Sequence, residues 1–95
     1  MELEAIIQRT EGLQSAPIEN EIVFLNPKTD AYVALDEIGR RVWDLLEEPR
    51  PVAELVDVLL QEYEGQRDGI AADVRGFLGE LEREGMVSVV GRPSV

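Results

Sequence analysis

Glu21-Ile22-Val23-Phe24-Leu25-Asn26-Pro27-Lys28-Thr29-Asp30-Ala31-Tyr32-Val33-Ala34-Leu35 is the stretch that decides the fold. Its flanks, Glu21 to Leu25 and Ala31 to Leu35, are rich in β-branched and aromatic residues, which suit a pleated, half-buried surface. Between them, Pro27 presets the backbone for a turn, and Asp30 tolerates the left-handed conformation that closes such a connection. The stretch therefore reads as one hairpin. Toward the N-terminus, Leu3 to Gln8 is a short apolar-polar segment and reads as a strand. Gly12 to Asn20 carries Gly12, Ser15, Pro17 and Asn20 and reads as a loop.

Beyond the hairpin the periodicity becomes helical. Asp36 is placed to cap a helix whose apolar face is Ile38, Val42, Leu45 and Leu46, ending near Glu48. Trp43 flanks that stripe and reads as core. Pro49-Arg50-Pro51 interrupts the pattern, with Pro51 as the first residue of a second helix lined by Val52, Leu55, Val56, Leu59 and Tyr63. Gly65 stops it. Asp68 is a cap candidate for a third helix carrying Ile70, Val74, Phe77, Leu78 and Leu81. Gly85 ends that helix, and Met86 to Val90 forms a short extended tail. The expected fold is α+β and winged-helix-like: an N-terminal three-stranded antiparallel sheet followed by a three-helix bundle. All of residues 1–95 form a single domain in this reading, since that length suits one core.

Composition narrows the function. Twenty acidic residues face nine basic ones, a net charge of −11; such a surface repels phosphates, so no nucleic acid is expected as a partner. There is no His and no Cys, which removes the usual general base, thiol nucleophile and imidazole ligands. The carboxylate pairs Glu47-Glu48 and Asp36-Glu37 read as solvated helix ends, and Ser15, Ser88 and Ser94 lie in no nucleophile motif. A non-catalytic chain without cofactor or metal is expected. No long apolar run suggests a membrane span, and the acidic start Met1-Glu2-Leu3-Glu4 is unlike a secretory signal, so a cytoplasmic location is expected.

The stretch from Ile22 to Met86 is similar to PqqD-like domains, the recognition elements of ribosomally made, post-translationally modified peptides. The resemblance rests on the hairpin Ile22 to Tyr32, then Ala34-Leu35-Asp36-Glu37-Ile38-Gly39 and Val42-Trp43-Asp44-Leu45-Leu46. It continues through Glu54-Leu55-Val56, Glu62-Tyr63, Asp73-Val74, Phe77-Leu78, Leu81 and Gly85-Met86-Val87. It implies a domain that binds the N-terminal leader of a precursor peptide as an added strand and delivers the core to processing enzymes. By that resemblance the docking edge is Ala31, Tyr32, Val33, Ala34 and Leu35, and the groove wall is Ile70, Val74, Phe77, Leu78 and Leu81. The turn Leu25-Asn26-Pro27-Lys28-Thr29-Asp30 departs from the Tyr-Pro-Glu-Gly-like turn of the quinone-cofactor subgroup. It looks more like stand-alone binders of lasso-peptide clusters. The implied partners are then a leader protease and a cyclase; in a quinone or thioether pathway, the partner is a radical SAM enzyme.

Three points stay open at this level. Tyr32 either lines the groove or packs on the sheet. Gly76 and Gly79 lie with Ala72 on the helix face opposite Val74 and Leu81, either as a close partner contact or as drift on a solvent face. The same fold would also serve a winged-helix transcriptional regulator or an acidic subunit of a larger enzyme. Against the regulator, the third helix sets Arg67, Arg75 and Arg83 among Asp68, Asp73, Glu80, Glu82 and Glu84.

Overall fold

The computed structural model describes residues 1–19, 21–26 and 30–91. The order is β1 (Ile6–Arg9), β2 (Gln14–Ile18), β3 (Glu21–Asn26), β4 (Ala31–Leu35), α1 (Glu37–Leu45), β5 (Arg50–Pro51), α2 (Val52–Glu62), α3 (Arg67–Arg83) and β6 (Val87–Gly91). A three-stranded antiparallel sheet thus precedes the helices, with strand order β2-β3-β4.

Its first strand is not the expected one. Gln14–Ile18 pairs along β3, from Gln14 opposite Leu25 to Ile18 opposite Glu21, where a loop was expected over Gly12 to Asn20. All five of its residues are exposed, so no apolar alternation marks it, and Pro17 reads as a turn residue although edge strands tolerate proline. Leu3 to Gln8 does contribute a strand, shifted to Ile6–Arg9, but it lies in a second sheet of order β5-β1-β6. There Ile7 faces Val89 and Arg9 faces Val87, so the expected extended tail is a paired strand as far as Gly91. Residues 92–95, Asn20 of the expected loop, and Pro27, Lys28 and Thr29 of the hairpin turn lie outside the described residues. Asp30 does adopt the left-handed conformation, with φ of 56°.

Helix ends follow local chemistry, with corrections of a residue or two. Asp36 caps α1 by accepting from the Gly39 amide at 2.8 Å, and α1 stops at Leu45 rather than Glu48. The buried face of α1 is Gly39, Val42 and Trp43, continued by Leu46. Ile38, expected on that face, is 47% exposed; the stripe is turned by one residue so that Trp43 packs on Phe24, with ring centroids 4.7 Å apart. Pro51 precedes α2 as its N-cap instead of starting it. Gln66, not Asp68, holds the α3 N-cap position, and Asp68 sits in the first turn, where its charge complements the helix dipole. At the other end, Gly85 takes φ of 74°. The Met86 amide donates to Leu81 and the Gly85 amide to Glu82, which satisfies two otherwise orphaned carbonyls. Ala5, Ile7, Phe24, Leu35, the inner faces of all three helices, Met86 and Val87 form one buried cluster.

Candidate functional site

A sheet edge exposes unpaired amides and carbonyls, and most proteins blunt such edges. The β2-β3-β4 sheet blunts one of its two. Proline cannot donate, so the Pro17–Ile22 pair is of the kind that exchanges no backbone hydrogen bond. Pro17 therefore turns its donorless nitrogen outward, along the free edge of β2. The two-residue connection between Ile18 and Glu21 agrees, because the pair closing such a hairpin is hydrogen-bonded and its neighbour is not.

The same parity propagates to the opposite edge. Ile22, unbonded to Pro17, directs its amide and carbonyl to β4, where it faces Leu35. Alternation then makes Ile22–Leu35, Phe24–Val33 and Asn26–Ala31 the bonded pairs. Ala31, Val33 and Leu35 spend their backbone groups on β3. Tyr32 and Ala34 point theirs outward, and no proline or charged residue interrupts the strand. Their side chains are also on the outer face: Tyr32 is 74% exposed, so it does not pack on the sheet.

Beside this edge runs a groove of about 540 Å³, walled by Tyr32 to Asp36 on one side and by Phe77, Glu80, Leu81 and Arg83 of α3 with its C-cap Glu84 on the other. The Asn26 side chain ties β3 to the end of α3, donating to the Glu84 carbonyl at 3.0 Å and to its carboxylate at 2.8 Å. A second recess of about 340 Å³ opens between the helices, lined by Ile38, Gly39, Val42, Leu59, Tyr63, Ile70, Val74 and Phe77 and rimmed by Asp36, Glu64 and Asp73. The two share Asp36 and Phe77, so the Phe77 ring is the partition between them.

The residues singled out in the sequence are distributed as follows. Tyr32, Val33 and Ala34 border the groove, with buried Leu35 and Leu81 at its floor. Ala31 contributes its paired backbone. Phe77 serves both recesses, while Ile70 and Val74 line only the interhelical one. Leu78 is fully buried and borders neither. Ala72 and Gly76 are exposed and Gly79 is half-buried; a Cβ on Gly76 would meet nothing within 4 Å, and one on Gly79 only the Arg83 guanidinium at 3.9 Å, so packing does not require glycine at either. Sequence reasoning missed Ile38, Gly39, Val42, Leu59 and Tyr63 and the rim carboxylates Asp36, Glu64 and Asp73 of the recess, and Glu80, Arg83 and Glu84 of the groove. The one available signal was the apolar Ile38 beside a cap, which periodicity assigned to the core.

Among the described residues, no group of three or more His, Cys, Asp or Glu is placed to hold a metal ion, and no helix is long and apolar enough to cross a membrane.

Comparison with known proteins bears on this arrangement. Residues 21–87 match the family described as coenzyme PQQ synthesis protein D (PqqD). The solved structure of TbiB1 in complex with the TbiA(beta) leader peptide is 33% identical, covers 88% of this chain and 98% of its own, and superposes with a TM-score of 0.76. A lasso peptide synthetase B1 complexed with its leader peptide is similar in fold, at 20% identity and a TM-score of 0.74 over 86% of this chain and 96% of that one. So is the PqqD truncation of Methylobacterium extorquens PqqCD, a stand-alone RiPP recognition element, at 22% identity and 0.71 over 87% and 88%. No curated protein matches the chain. The match over residues 21–87 takes in the β3–β4 hairpin and all three helices, and it establishes that the chain belongs to the PqqD family.

Proposed function

We propose that the chain is a non-catalytic adaptor that binds the leader segment of a ribosomally made precursor peptide and presents the attached core to processing enzymes. Residues 1–95 act as one domain in this role. The observation that carries the reading is the unguarded β4 edge, whose outward groups at Tyr32 and Ala34 border an open groove. A peptide added there gains main-chain hydrogen bonds along the strand, and its alternate side chains reach the groove for selectivity. Support comes from family membership and from TbiB1, which was solved with a leader peptide bound. The Leu25 to Asp30 turn, which looks like that of stand-alone lasso-peptide binders, and the likeness in fold to a lasso peptide synthetase B1 favour a lasso-peptide pathway, in which a leader protease and a cyclase are the enzymes served. The alternative within the family is a partner of a radical SAM enzyme.

The reading is tested with fluorescein-labelled TbiA(beta) leader peptide and with leaders of any precursor encoded beside this chain. Saturable binding by fluorescence anisotropy is expected for at least one of them, with no change of peptide mass afterwards. A mass change in the presence of this chain alone contradicts the adaptor role. Absence of binding to every leader contradicts leader capture.

A further inference from the structure

Among the described residues, the groove and the interhelical recess together carry five carboxylates, Asp36, Glu64, Asp73, Glu80 and Glu84, against one cation, Arg83. The ion pairs among the described residues lie elsewhere: Arg41–Glu62, Arg50–Glu54 and Arg67–Asp57. None of the five has a basic partner among the described residues, although Asp36 caps α1 and Glu84 accepts from Asn26. Between them the surface is apolar, with Phe77 and Ile70 half-buried and Ile38 exposed. The recess also lies directly beyond the last residue of β4, since Asp36 lines both spaces.

We infer that the docked leader is selected for cationic-apolar chemistry: an aliphatic or aromatic side chain seated in the interhelical recess, with Lys or Arg next to it facing Glu64, Asp73 and Glu80. This rests on the strand-docking reading and specifies its ligand. A peptide added along Ala31–Leu35 that continues past Asp36 reaches the recess without leaving the surface. Unpaired carboxylates around an apolar floor favour a flanking cation and disfavour an acidic peptide by like-charge repulsion. The same arrangement speeds capture of a basic segment at low ionic strength, and near physiological salt it loses that advantage beyond a Debye length of about 8–10 Å.

The test uses an mRNA-displayed library of random 15-residue peptides. It is selected in parallel on the wild type, on the Glu64→Gln/Asp73→Asn/Glu80→Gln triple variant, and on Ala34→Pro as a docking control. None of the three neutralised carboxylates has an ion pair or hydrogen bond among the described residues, so folding is expected to survive. Expected is a wild-type pool in which Lys or Arg lies within a few residues of a large apolar one and which Ala34→Pro no longer retains. The triple variant should lose the basic excess and bind wild-type-selected peptides about fivefold more weakly at low salt, a modest figure because the pairs are exposed. A pool lost by Ala34→Pro but without basic excess overturns the charge selection and leaves strand docking standing. A pool indifferent to Ala34→Pro, or no enriched pool, overturns strand docking and this inference with it.

Discussion

A Cβ placed on Gly39 would stand 3.1 Å from Cζ of Phe77. Glycine here lets α1 and α3 close on the ring that separates the groove from the interhelical recess. In Gly39→Ala, the higher helix propensity of alanine is worth about 1 kcal/mol, while Phe77 must yield slightly. The ring borders open space and can swing into it. The melting temperature should therefore change by no more than about 4–8 °C, the equivalent of 1 kcal/mol in a domain this size, while leader affinity falls. Thermal melts and peptide titration on the same variant separate the two effects. Unchanged affinity would remove Phe77 from the site.

Arg9 provides a second test, away from the groove. Its Nε donates to the Trp43 carbonyl at 2.9 Å, Nη2 bonds the same oxygen, and the guanidinium lies 4.8 Å over the indole. Burial lowers the Arg9 pKa, against the opposing pull of Asp44 and Glu47. Arg9→Met keeps an apolar stem but leaves a carbonyl of the last turn of α1 without its charged donor, a loss of about 1–3 kcal/mol. Trp43 is the sole tryptophan, so urea unfolding followed by its emission reads the change directly. An unchanged midpoint would mean that the contact adds nothing to stability.

What could be read from the sequence follows from where burial leaves a pattern. The β3–β4 hairpin and the inner faces of α2 and α3 were legible because residues such as Phe24, Leu55, Val56, Val74 and Leu81 are buried with strand or helix spacing. β2 was not, because every side chain from Gln14 to Ile18 is exposed and only pairing with β3 makes it a strand. Nor was the β1–β6 pairing, which joins the two ends of the described chain through contacts that no local period records. The docking edge entered as an implication of family resemblance. Its outward parity required the observed register, since Pro17 informs the choice only once it is known to face Ile22. The interhelical recess depends on the approach of Gly39 to Phe77, a tertiary fact.

The Arg41–Glu62 pair, which links α1 to α2, gives a pH prediction. Arg41 donates to both carboxylate oxygens, at 2.8 and 2.7 Å, and these hydrogen bonds hold the Glu62 carboxyl below its ordinary value. A group whose pKa is depressed by folding contributes fully above its unfolded value, and that contribution disappears as pH falls through the folded one. The wild type should thus exceed Glu62→Gln in stability at pH 7, and the gap should close in acid below the usual carboxylate range. It should also shrink in 1 M salt, because the pair is exposed. Urea midpoints of both proteins across pH check this. A gap constant with pH would show that charge plays no part in it.

Single proline substitutions along β4 discriminate the docking mode, and the ladder now assigns each position its outcome. Val33 spends its amide on Phe24, so Val33→Pro removes a bond internal to the hairpin and also forces the ring against β3. That variant should melt well below the wild type or fail to fold. Tyr32 and Ala34 direct their amides away from β3, where proline is tolerated. Tyr32→Pro and Ala34→Pro should keep the fold and bind leader more weakly, by about 0.5–1.5 kcal/mol for each hydrogen bond lost, with any steric cost added. Tyr32→Pro also removes an exposed aromatic side chain, so Tyr32→Ala is needed beside it to separate the side chain from the amide. Circular dichroism melts and anisotropy titrations on the four variants give the pattern. The reverse pattern, with Val33→Pro stable and Ala34→Pro unfolded, would invert the assigned parity. Full leader affinity in both Tyr32→Pro and Ala34→Pro would mean that the peptide does not add to β4, and its site would have to lie on the helices.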